Sequence, residues 1–213
     1  MMKKLYQVSR LLLGMTFIFS GFVKGQDPLG TMFKIEDYLI AYGWDWALPF
    51  ALALSILLCT AEFVIGAGLI LNYQTKLIQW LILLFMVFFT CITFYDALYN
   101  AVSDCGCFGD AIKLTNWQTF FKNIVLLALV AILFYTSRNA KPPFFRRTAL
   151  FIAVTCIFAG FSIWSFYHLP LIDFLPWKKG NIVSTVSQQS SEYYVTYRNK
   201  TTGEEREFPS NDF

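Results

Sequence analysis

The residues with the greatest chemical reach in this chain lie in Asp104-Cys-Gly-Cys-Phe-Gly-Asp110, where two thiols stand one glycine apart. The stretch reads as a polar loop between two long apolar segments, whereas Cys59, Cys91 and Cys156 each fall inside one. Cys105 and Cys107 are therefore the pair placed to meet water. Gly106 removes the Cβ crowding that resists a tight backbone, and residues at i and i+2 can reach the roughly 4.4–6.8 Å Cα separation of a disulfide. A ring so small is strained, and strained disulfides are the reducible, oxidising ones. Closing so short a loop also removes little chain entropy, which weakens the case for a passive staple. Thiol–disulfide exchange is the favoured chemistry, with a structural disulfide as its rival. Two thiols fall short of a closed zinc site, so no metal is expected. Asp104 and Asp110 oppose thiolate formation, while Lys113 and the start of the following helix, capped by Thr115 or Asn116, favour it.

A second set of candidates comes from polar residues inside apolar segments, which are costly and tend to face a partner or a wet cavity. Glu62 lies within the second such segment and Arg10 a few residues into the first. If both occupy the inner half of the membrane, Glu62 and Arg10 form an ion pair. Alternatively, Glu62 serves a proton or quinone site, with Cys59 one helical turn away on the same face. Cys91 lies about two turns from the end that leads into the motif, where a relay from Cys107 or Cys105 is geometrically possible. Lys24 either snorkels to the interface or approaches the thiol loop. Ser20-Gly21 and Gly66-Ala-Gly68 suit close helix packing. His168, the one histidine, fits a cap or contact beside Pro170.

What must position these groups is set by composition. Of 213 residues, 56% are hydrophobic and 15% charged, against about a quarter charged in a soluble domain. The chain's solvent is therefore largely lipid. A net charge of +3 without a basic aromatic stripe argues against nucleic acid. Roughly 20 apolar residues span a bilayer as a helix, and five stretches qualify: Leu5–Val23, Trp46–Leu71, Thr75–Leu98, Trp117–Tyr135 and Arg147–Tyr167. Phe22-Val23-Lys24-Gly25 is no small-residue cleavage site, so the first stretch reads as a retained helix rather than a signal peptide.

Basic residues gather before the first span, at Lys76, and between Arg138 and Arg147, while acidic residues gather in the other loops. That alternation predicts a cytoplasmic N-terminus, with the cysteine loop and the tail on the periplasmic face of an inner membrane. Between Asp27 and Asp45, Pro28 can open a helix, and Met32, Ile35, Leu39 and Tyr42 recur near helical period. This predicts an amphipathic helix on the outer surface, over the mouth of the bundle. Beyond His168, Glu192–Arg198 and Glu204–Phe208 flank Thr201-Thr-Gly203 in the manner of a hairpin. The expected fold is an all-α integral membrane protein. It comprises a four-helix domain over 1–145, a fifth transmembrane helix over 146–167 and an extracytoplasmic tail with a β-hairpin over 168–213.

The pattern Arg10-x3-Gly14-x2-Phe17-x2-Ser20-Gly21-x2-Lys24, then Glu62-x3-Gly66, then Cys105-Gly-Cys-Phe-Gly109, resembles the DoxX/DoxD and MauE group of bacterial membrane proteins over about Leu5–Tyr135. The Cys-Gly-Cys-Phe-Gly loop before a helix is the specific part and is similar to MauE. The fifth span and the Leu169-Pro-Leu-Ile-Asp173 tail resemble an extension in Bacteroidota members. The resemblance implies a redox role with Cys105 and Cys107 as the reactive pair. MauE-like proteins imply maturation of a disulfide-rich periplasmic dehydrogenase beside a thioredoxin-like partner, and DoxD-like proteins imply quinone-linked sulfur oxidation. Three functions follow as expectations. The first is disulfide exchange with a periplasmic thioredoxin-like protein or client. The second is a non-enzymatic scaffold joining an envelope complex through its tail. The third is a small subunit of a quinone-linked oxidoreductase.

Overall fold

The structure, a computed structural model, describes residues 2–73, 75–102, 106–112, 114–136, 145–168, 194–198 and 205–209. Asp104, Cys105 and Lys113 lie outside the described residues, as does the side chain of Asp110. The chain divides into two compact units, Met1–Asp173 and Phe174–Phe213.

In the first unit the elements run α1 (Met2–Gln26), α2 (Pro28–Ala41), a 3-10 helix (Asp45–Phe50), α3 (Ala51–Leu71), α4 (Thr75–Tyr99), the short extended segment β1 (Cys107–Asp110), α5 (Asn116–Thr136) and α6 (Phe145–Tyr167). Among the described residues, five helices are long and apolar enough to cross a membrane: Lys4–Gln26, Asp45–Leu71, Lys76–Tyr99, Asn116–Thr136 and Thr148–Tyr167. These are the five spans expected from hydropathy, each within a few residues. Leu84, Val125 and Ile157 stand exposed on them. In water such faces would form an oversized apolar patch; in a bilayer they face acyl chains.

Small residues set the closest helix contact. A Cβ placed on Gly21 would lie 2.6 Å from the Phe63 backbone N and 2.9 Å from the Cys59 carbonyl, and one on Gly66 would lie 2.8 Å from the Gly14 carbonyl. Gly14 and Gly21 thus let α1 press backbone to backbone against α3, antiparallel to it, as small residues do where lipid offers no hydrophobic drive to association. Around this contact Leu13, Phe17, Ile65, Leu69, Ile82 and Leu133 form the core. Helix α6 packs on α3, α1 and α2, with Phe158 stacked on Phe63 at 3.8 Å between ring centroids.

One residue separates α1 from α2. Asp27 breaks the helix and caps the next one, its carboxylate accepting from Gly30 N at 3.0 Å with Pro28 at the first helical position. Leu39 of α2 joins Ala47 and Ala51, with Met32 and Ile35 packed against them. The opposite face leaves Phe33 and Ile40 exposed. The amphipathic helix read from the sequence is therefore present, and its N-terminal turn is tied to α3 where Ser55 Oγ donates to the Pro28 carbonyl at 2.7 Å. Helix α5 opens with a capping box: Gln118 N donates to Thr115 Oγ1 at 3.3 Å and Thr115 N donates to Gln118 Oε1 at 3.0 Å. In the second unit, Tyr194–Arg198 and Glu205–Pro209 pair antiparallel, with Thr196 opposite Glu207.

Candidate functional site

The α1–α3 contact carries a buried ion pair. Lys24 Nζ lies 2.6 Å from Glu62 Oε1, and the two side chains are only 6% and 5% exposed. Ser20, one turn before Lys24 on the same face of α1, donates to Glu62 Oε2 at 2.7 Å. Both carboxylate oxygens are thereby occupied from one helix, which is the arrangement a charge needs when it leaves water.

The cysteine loop is fastened to this group. Ser20 Oγ also stands 2.5 Å from the carbonyl oxygen of Cys107, so its single proton is shared between the buried carboxylate and the backbone of the motif. Gly106 and Gly109 both adopt positive φ, 59° and 52°, and the backbone at each comes close to a neighbouring helix. A Cβ on Gly106 would sit 3.2 Å from Lys34 Cγ of α2, and one on Gly109 would sit 3.0 Å from Val23 Cγ1 of α1. Glycine is required here both for handedness and for space. Phe108 packs near Phe19 at 5.7 Å and lies under the Lys122 ammonium of α5 at 4.4 Å. Cys107 itself is half-buried, within electrostatic reach of Lys24.

Cys59 belongs to the same cluster, toward α2. It is fully buried, one turn before Glu62, beside the Thr31 and Ser55 hydroxyls, and it too lies within reach of Lys24. The structure therefore draws together Cys107, Lys24 and the Cys59–Glu62 turn of α3 from three separate stretches of sequence.

Arg10 does not belong to this group, which corrects the expected Glu62–Arg10 pair. Its guanidinium lies over the Tyr6 ring at 5.7 Å, at the level of Asn72, Tyr73 and Gln79. Fourteen residues of helix, about 21 Å, separate it from Lys24. The physical reason is register: the glycine contacts bring Gly21 to Cys59 and Phe63, so Lys24 meets Glu62 while Arg10 runs past the far end of α3. Cys91 is exposed on α4 and takes no part in the hydrogen bonds described here. His168 is a helix-end contact, its Nδ1 2.9 Å from the Trp164 carbonyl.

Sequence reasoning missed two features. Ser20 was read as a packing residue only, although its hydroxyl is the bridge. Asp96, counted among loop acids, is completely buried in the last turns of α4. It accepts from Tyr38 OH of α2 at 2.7 Å, and Asn116 Nδ2 reaches its carbonyl and that of Val102 at 3.3 and 3.0 Å. This group ties α2, α4 and the start of α5 together beside the motif. Tyr38→Phe keeps the ring and removes the bond. It is expected to lower stability by about 1–3 kcal/mol, read as a drop in the unfolding midpoint in detergent. An unchanged midpoint would show that Asp96 does not hold α2.

A five-span helical bundle with a buried ion pair under a cysteine loop defines a multi-pass membrane protein with a polar centre at one end of the bundle. Residues 2–136 match the family described as methylamine utilisation protein MauE. The chain belongs to the MauE family, and the match covers α1 through α5, including the entire polar centre. No curated protein and no solved structure matches the chain.

Proposed function

We propose that the protein is an inner-membrane thiol–disulfide exchange protein. In this reading its Cys105/Cys107 pair passes disulfides to or from a periplasmic thioredoxin-like protein or a disulfide-containing client. The observation that carries this reading is the Ser20 hydroxyl shared between Glu62 and the Cys107 carbonyl. A loop stapled only for shape has no need of an ammonium beneath it, and burying two charges costs several kcal/mol per ion before pairing returns any of it. A thiolate is the species such an ammonium favours.

In the exchange step a thiolate of the partner attacks one sulfur of the Cys105–Cys107 bond. That bond breaks, a mixed disulfide forms, and the freed sulfur leaves as a thiolate, which Lys24 can stabilise when it is that of Cys107. The partner's second thiol then resolves the mixed disulfide, so the partner ends oxidised and the Cys105/Cys107 pair reduced. The reverse sequence moves electrons the other way. Both Glu62 oxygens are engaged by Lys24 and Ser20, so Glu62 acts as the counter-ion that fixes Lys24 rather than as a quinone ligand. The charge distribution supports a cytoplasmic N-terminus with the motif on the periplasmic side. The looser likeness to DoxX and DoxD proteins rests on residues of α1 and α3, and that to MauE favours a client acquiring disulfides outside the cytoplasm.

The test is thiol trapping in cells expressing Cys105→Ala or Cys107→Ala, resolved on non-reducing gels. A covalent adduct with an envelope protein from one variant, lost in the double variant, is the expected result. No adduct, together with a wild-type pair that resists mild reductant, would leave a scaffold held by a structural disulfide.

A further inference from the structure

Cys59 is the one buried nucleophile at the site that the exchange step above does not use. A cysteine inside a span is ordinarily a small apolar packing residue, and apolar surroundings leave a thiol inert. The surroundings of Cys59 are not apolar. Thr31 and Ser55 present hydroxyls to it, Glu62 follows one turn later on its own helix, and the Lys24 ammonium lies within reach. The same ammonium is within reach of Cys107. Two thiols from distant parts of the chain thus face one fixed positive charge.

Helix contacts bring together the two segments that carry them. On α1, Gly21 lies against the Cys59 carbonyl while its neighbour Ser20 holds the Cys107 carbonyl. On α2, Thr31 stands at Cys59 while Lys34 lies against Gly106, next to Cys107. Thr31 and Lys34 are three apart on one helix face, roughly 5–6 Å between Cβ atoms.

We infer that Cys59 is the third thiol of this centre and takes the disulfide from Cys107 by internal exchange. The inference rests on the exchange reading above and extends it. The Cys59 sulfur attacks Cys107 Sγ, the Cys105–Cys107 bond breaks, and a Cys59–Cys107 bond forms. The proton lost by Cys59 ends on Cys105. No external oxidant enters this step, because one disulfide is consumed and one is made. Lys24 lies where it can stabilise the attacking Cys59 thiolate, and Thr31 and Ser55 supply hydroxyls to that sulfur. The outcome is a Cys59–Cys107 disulfide, with Cys105 released for another round.

The test uses the full chain in detergent micelles, with Cys91 and Cys156 replaced by alanine so that neither competes. Cys105→Ser protein is oxidised with diamide, which accepts the two electrons and two protons of a thiol pair. It is then denatured, capped with N-ethylmaleimide, digested without reductant and analysed by mass spectrometry. The expected result is a peptide pair joined through Cys59 and Cys107 in most chains, lost completely in Cys105→Ser/Cys59→Ser. Cys59 recovered only as the capped thiol would overturn the inference. If Cys105→Ser fails to fold, the linkage is sought in protein retaining Cys105 and poised across ratios of reduced to oxidised glutathione. There a Cys59–Cys107 species must coexist with Cys105–Cys107, and its absence at every ratio refutes the relay. Partner trapping through the loop cysteines in a Cys59→Ala background decides the exchange reading separately. An adduct there, without any Cys59 linkage in the first experiment, removes the relay and leaves exchange standing.

Discussion

Glu62→Gln should cost about 3–5 kcal/mol of stability, because it strands the Lys24 ammonium between α1 and α3 without its counter-charge. Lys24→Met should cost a similar amount by stranding the carboxylate, which then keeps only the Ser20 hydroxyl. The informative variant is the double one. Replacing Lys24 by Met and Glu62 by Leu together removes both charges, and well-packed apolar substitutes for a buried pair are often neutral or stabilising. Stability should therefore return to near that of the unmodified chain while disulfide exchange stays lost. Thermal unfolding in detergent and the rate of reduction of the Cys105/Cys107 pair by a dithiol read the two quantities independently. A double variant that exchanges at the original rate would show that the pair serves the bundle alone.

Gly21→Val should be the most damaging single substitution at the helix contact. Its Cβ would lie 2.6 and 2.9 Å from backbone atoms of Phe63 and Cys59, which cannot rotate aside as a side chain can. Replacing a helical glycine ordinarily gains up to about 1 kcal/mol, less for a β-branched residue. Overpacking costs about 1–3 kcal/mol and sometimes more. Steric cost wins, and separating the helices also lengthens the Lys24–Glu62 and Ser20–Glu62 bonds. Gly160 of α6 is the control, since nothing lies within 4 Å of a Cβ built there. Gly160→Ala should hold or raise the unfolding midpoint while Gly21→Val lowers it by several degrees. Equal responses at the two positions would mean that α1 and α3 are not in backbone contact.

The spans were legible because hydropathy over 20 residues is a strong signal, and helix starts were marked by Pro28 and by Thr115. The α2 helix was legible from the period of Met32, Ile35 and Leu39. The partner of Glu62 was not. Position along each apolar run gives depth only, and it carries no information on the register at which α1 and α3 meet. The information lay instead in the glycines: once Gly14 is set against Gly66 and Gly21 against Cys59, antiparallel register carries Lys24 to Glu62. Ser20 escaped notice because a hydroxyl beside glycine suits tight packing equally well, and only the return of β1 gives it a second acceptor. Asp96 escaped because acids near a loop are ordinarily solvated, and its partner Tyr38 lies on a helix 58 residues away.

Ser20 grips the motif through the carbonyl oxygen of Cys107. A carbonyl is the same atom with the same lone pairs whether the neighbouring sulfur is a thiol, a thiolate or half of a disulfide. This fastening is thus blind to oxidation state, much as a tool-holder grips the shank whatever the state of the cutting edge. The sulfur can turn over again and again without the loop being released and recaptured, and the bundle need not rearrange between one turnover and the next.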